Sequence, residues 1–139
     1  MAISQALCTS FKSELLNKEH DMNTDTFKIA LYTSSATLGA TTTVYSATNE
    51  TSGTGYSAGG ATLTGGAIAT SSTTAYVDFT DPSWTSSSFT ANGALIYNTS
   101  NSNTAVCVLA FGGDFTVTTG TFTIVFPTAD ASNALIRLA

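Results

Sequence analysis

The side chains able to do chemistry are few and widely spaced. Nucleophilic catalysis by Ser or Cys needs a base oriented by a third group, and the only histidine, His20, sits between Glu19 and Asp21. The surrounding pattern predicts a helix end, where a histidine is solvated or favoured by the negative helix terminus. No Gly-x-Ser-x-Gly elbow accompanies it. Asp78 and Asp81 are the nearest approach to a carboxylate pair for acid–base work. They flank a strand end beside Pro82, where aspartate is ordinary turn chemistry. Glu19, His20, Asp21 and Asp25 cluster in sequence but lack the spacing of calcium loops or zinc sites. Gly53-Thr54-Gly55-Tyr56-Ser57-Ala58-Gly59 has the wrong spacing and context for a dinucleotide fingerprint, and no lysine makes it a phosphate loop. The residues therefore predict no catalytic group, no metal and no cofactor.

Charge narrows the partners. Only 9% of residues are charged, against about 25% in an average soluble domain. The formal net charge is −5, and from Ile29 to Ile136 there is no Lys or Arg. Phosphate binding needs basic groups that displace counterions, so nucleic acid is an unfavourable partner, as is an anionic membrane surface. The longest apolar run, Ala105 to Phe111, is too short for a membrane-spanning helix. No signal-peptide pattern precedes Ile3, so synthesis in a reducing cytoplasm is expected. Cys8 and Cys107 allow one disulfide, whereas a reducing compartment favours two buried thiols. Asn49-Glu50-Thr51 and Asn98-Thr99-Ser100 fit the glycosylation pattern but read as loop polar residues without a secretory signal.

The elements that position these groups form one domain, residues 1–139. Ile3, Leu7, Phe11 and Leu15 recur every fourth residue and predict an amphipathic helix over about 3–20, with Ser4 as N-cap. From about residue 26 the period falls to two. Phe27 to Tyr32 and Ala75 to Phe79 read as strands, as do Ala94 to Tyr97, Thr104 to Phe111 and Ala134 to Leu138. Phe122, Ile124 and Phe126 give the clearest alternation. Gly112-Gly113-Asp114 reads as a hairpin connection, Gly120 as another turn, and Glu50 to Gly66 as a mobile loop or tight turns. The fold expected is mainly β: an antiparallel sandwich or barrel, jelly-roll or immunoglobulin-like, with one N-terminal helix.

Aromatic and apolar stripes are the remaining binding candidates. Trp84 and Phe89 offer a platform for sugar or protein, or plug one end of the sandwich; Tyr56 and Tyr97 are further stacking candidates. Ile3, Leu7 and Phe11 offer a helix face for the chain's own sheet or for a neighbouring subunit.

Several segments resemble small virion structural proteins of tailed phages. They are Phe27-Lys28-Ile29-Ala30-Leu31-Tyr32 with the loop to Tyr45, Ser52-Gly53-Thr54-Gly55-Tyr56 with Gly59-Gly60, and the Trp84 segment leading to Ala94-Leu95-Ile96-Tyr97-Asn98. Phe111-Gly112-Gly113-Asp114 and Gly120-Thr121-Phe122-Thr123-Ile124 complete the resemblance, which covers most of the chain. It implies a capsid cement or decoration protein on the virion surface, partnered by the major capsid protein and by itself as a homo-oligomer, with a trimer as one form. A tail or fibre component and a carbohydrate-binding β-sandwich are the rival expectations.

Overall fold

The computed structural model describes residues 2–130 and 132–138. The chain folds as β1 (Ala6–Leu7), α1 (Thr9–Leu16), β2 (Phe27–Tyr32), β3 (Ala61–Thr62), β4 (Ala67–Ser71), β5 (Thr74–Asp78), β6 (Ser83–Asn98), β7 (Thr104–Thr123) and β8 (Ile136–Leu138). Two antiparallel sheets result, one of order β1-β7-β6-β2-β3 and one of order β4-β5-β8. The mainly β, antiparallel expectation holds, and neither sheet closes into a barrel.

The core lies where β2, β6 and β7 run side by side. Ile29, Leu31, Leu95, Ile96, Val106 and Val108 are fully buried there, as expected of strands covered on both faces. Phe79, just past β5, meets Phe27 with ring centroids 5.8 Å apart, which joins the smaller sheet to the same core.

The N-terminal helix is shorter than its periodicity suggests. Ile3 bridges Leu38 in parallel, and Ala6 and Leu7 pair with Val108 and Cys107, so only Thr9–Leu16 is helical. Cys8, not Ser4, is the N-cap, and it makes no side-chain capping bond; the Ser4 amide donates to the Leu38 carbonyl instead. The four-residue period arose because two strand-like contacts and one helical turn fell in step. Phe11 is the helix's one buried residue, and Leu16 is 90% exposed.

The last two long strands also run further than their turn-like residues suggest. Gly112-Gly113-Asp114 and Gly120 do not turn the chain; all lie within β7. Ala110 pairs with Gly93 and Phe115 with Ala91, so residues 111–114 stand opposite Asn92 alone. This is a bulge, which bends a ribbon without ending it. Asn92 Nδ2 donates to Asp114 Oδ1 across it at 2.9 Å. The Ser-rich stretch after Trp84 is strand as well, with Ser86 at φ 50° inside the register shift between Trp84 and Ser87. Cys8 and Cys107 are buried free thiols, and burial pushes Cys8 up to about 11 and Cys107 higher still.

Candidate functional site

The most densely connected polar cluster surrounds Glu50. β3 covers the edge of β2 only at Lys28 and Ile29, so the backbone of Leu31 must find partners in the loop that precedes β3. Thr51 N–H donates to the Leu31 carbonyl at 2.8 Å, and Leu31 N–H donates to the Tyr56 hydroxyl oxygen at 2.8 Å. That hydroxyl donates onward to Glu50 Oε2 at 2.5 Å. The Gly59 amide donates to the same oxygen at 2.7 Å, and Tyr45 donates to Oε1 at 2.6 Å. Tyr97 donates to the Gly59 carbonyl at 2.6 Å and stacks on Tyr45, with centroids 4.6 Å apart. Tyr32 donates to the Ser46 carbonyl at 2.6 Å. Burial first, and the Glu50 carboxylate second, raise Tyr32 and Tyr45, and raise Tyr97 to about 12.

Glu50 is thus committed to three donors. It ties the 45–60 segment to the main sheet and offers no reactive geometry. Its only signal in the sequence is a lone carboxylate in a Lys- and Arg-free stretch between two tyrosines, which does not by itself mark a site. The glycine-rich loop is docked rather than mobile, with Ser88 N–H donating to the Thr54 carbonyl at 3.0 Å.

His20 occupies a second cluster, and it is not solvated: it is 7% exposed, with its ring 4.8 Å from that of Phe11. Asn98 Nδ2 lies 2.8 Å from Asp25 Oδ2 and 2.9 Å from His20 Nδ1. Since Asn98 Oδ1 accepts the Ser100 amide, its Nδ2 is the donor to both. Nδ1 is therefore the acceptor, and Nε2 carries the proton donated to Glu14 Oε1 at 3.1 Å. The histidine joins the helix to the end of β6. Asn98→Ala is expected to destabilise the fold by about 3 kcal/mol, because it strips partners from His20, Asp25 and Ser100 in a buried site. Urea unfolding measures this, and a loss under about 1 kcal/mol would mean the cluster is merely incidental.

The remaining candidates do not converge. Asp81 Oδ1 accepts the Phe126 amide at 2.9 Å, while Asp78 Oδ1 is buried without a hydrogen bond. Among the described residues no three His, Cys, Asp or Glu side chains are grouped as metal ligands would be.

The interface residues expected from the sequence turn inward for the most part. Phe11, Trp84 and Phe89 are buried, and Ile3 and Leu7 are half-buried against the chain's own core. Trp84 and Phe89 meet edge to face at 6.4 Å, with Phe122 and Tyr56 closing the cluster. Neither ring of the pair presents a face for stacking; of the two alternatives the structure has the core plug. Tyr97 is likewise buried under the loop it bonds, and Tyr56 is half-buried there.

Exposed apolar surface gathers elsewhere. Phe115 is 54% and Val125 75% exposed, and both line an open groove of about 470 Å³ with Phe111, Val117, Phe122 and Ile124. No family model, no curated protein and no solved structure matches this chain.

Proposed function

We propose that the chain is a non-enzymatic virion structural protein of a tailed phage, a capsid cement or decoration protein that binds the outer shell and stabilises it. One observation carries the structural half of this reading. The residues best suited to chemistry, Glu50 and His20, are held in hydrogen bonds that fasten loops and helix to the sheet. The resemblance to small phage virion proteins carries the other half, and its segments are the ones that build β2, the end of β6 and both parts of β7.

The physics of such a role is binding to a site present only in the assembled lattice. A ligand of the assembled state stabilises that state by mass action, so many copies on the shell oppose its rupture. A body without Lys or Arg from Ile29 to Ile136 suits the outside of a shell better than the face against packaged nucleic acid. The major capsid protein is the partner, and the host bacterial cytoplasm is where the chain is made before it joins the particle.

Quantitative mass spectrometry of purified particles tests this. The expected result is a copy number equal to, or a large simple fraction of, that of the major capsid protein. A few copies per particle would move the chain to tail or neck, and absence from the particle would overturn the reading.

A further inference from the structure

The helix and the smaller sheet do not close on each other. α1 packs on β7, and between the helix and the β4-β5-β8 sheet lies a cleft of about 120 Å³. Phe11 and Leu15 form its helical wall, joined by Met22 from the turn that follows.

Register sets the facing wall. Val77 pairs with Ile68 on one side and with Ile136 on the other, and Ala75 pairs with Leu138. Residues directly opposite in a sheet point to the same face, as do residues two apart along a strand. These five side chains therefore share one face, and all of them line the cleft. Tyr76 borders it too, but it pairs with Ala69 and Arg137 on the opposite face. None of the other lining side chains carries an oxygen or a nitrogen.

Such walls reject water. A buried water needs several polar partners, whereas an apolar cavity of about 150 Å³ stays dry and admits benzene or xenon. This cleft is close to that size, and its two walls offer no partners. Nor does the chain fill the space itself. The helix ends at Leu16, whose side chain is exposed, and the face carries its smallest residue, Ala75, among Ile, Val and Leu. Half-exposed Ile68 and Leu138 leave the cleft open to solvent.

We propose that the cleft is a binding site for a small apolar molecule, benzene-sized and free of charged or hydrogen-bonding groups. Helix and sheet hold it from opposite sides, so the bound molecule completes the packing that the two elements lack. Its occupancy stabilises the folded chain by mass action. The site stands whether or not the capsid reading does.

Methyl-resolved NMR of the intact chain titrated with benzene tests this. Saturable shifts are expected at Leu15, Ile68, Val77, Ile136 and Leu138, with affinity at least about tenfold above any at Val117, Ile124 and Val125 of the β7 groove. The melting temperature is expected to rise with benzene concentration. Ala75→Leu fills the cleft. It is expected to keep its circular dichroism, to melt no lower than the native chain, and to bind benzene at least about tenfold more weakly. Should leucine overpack the site and unfold the chain, Ala75→Val adds less volume and is expected to weaken binding in the same direction. No saturable shift at the cleft methyls, shifts confined to the β7 groove, or undiminished binding by a folded variant at 75 would each overturn the proposal.

Discussion

Gly60→Ala is expected to remove about 4 kcal/mol of stability, while Gly112→Ala removes about 1. The two glycines have almost the same φ, 81° and 80°. An alanine at either position meets the same left-handed penalty, about 1–2 kcal/mol. They differ in what surrounds them. A Cβ on Gly60 would collide with the Ile29 carbonyl oxygen and lie 2.6 Å from its carbon and 2.7 Å from the Ala30 Cα, whereas one on Gly112 has nothing within 4 Å. The obstacles at Gly60 are backbone atoms of the central strand β2, which cannot swing aside as a side chain could. Gly60 is also the last residue before Ala61 pairs with Ile29, so relief requires lifting β3 and the loop held by Tyr56 and Glu50. For a domain whose whole stability is about 5–15 kcal/mol, the loss is severe. Urea midpoints for the two variants measure the contrast. Equal, small losses would mean that the loop does not approach β2 as closely as described.

What the sequence reveals and conceals follows from how local each signal is. β2, β5 and the first half of β7 are legible because apolar alternation or a continuous apolar run is written in adjacent residues. β4, all but exposed, and the first half of β6 are not, since their Ala, Ser and Thr carry little contrast between faces. Glycine misled twice in β7: Gly112 marks a bulge and Gly120 pairs with Ser87, yet both look like turns when the partner strand is out of sight. The periodicity overstates the helix because Ile3 and Leu7 are apolar for reasons of sheet contact, not helical packing. The Glu50 cluster was invisible for a different reason. Its meaning depends on Leu31 and Tyr97 being brought to it by the sheet, a contact no local pattern encodes. The sequence does state that such a carboxylate is rare in this body, which is the reason its partners matter.

The same cluster makes the fold sensitive to alkali. Tyr32, Tyr45, Tyr56 and Tyr97 are all raised above the ordinary tyrosine value, chiefly by burial and then by the Glu50 carboxylate that an ionised phenol would face. Below pH 10 the phenols are protonated in both folded and unfolded chains, and their contribution to stability is fully present. As pH rises past 10 the unfolded chain ionises while the folded chain holds its protons, so stability falls until the folded value is reached. For Tyr97, raised to about 12, that window alone accounts for about 3 kcal/mol. With three more phenols pulling the same way, the chain is expected to unfold cooperatively between about pH 10 and 12, and phenolate absorbance of these four should appear together with loss of circular dichroism. Tyr56→Phe separates the two contributions. It leaves the Leu31 amide without its acceptor and takes from Glu50 one of its three donors, at a cost of about 2–3 kcal/mol near neutral pH. It also removes one of the groups whose ionisation drives the alkaline transition, so its deficit relative to the native chain should shrink as pH rises. Should the phenols titrate near pH 10 with the fold intact, the hydroxyls are reached by water and Glu50 does not hold them.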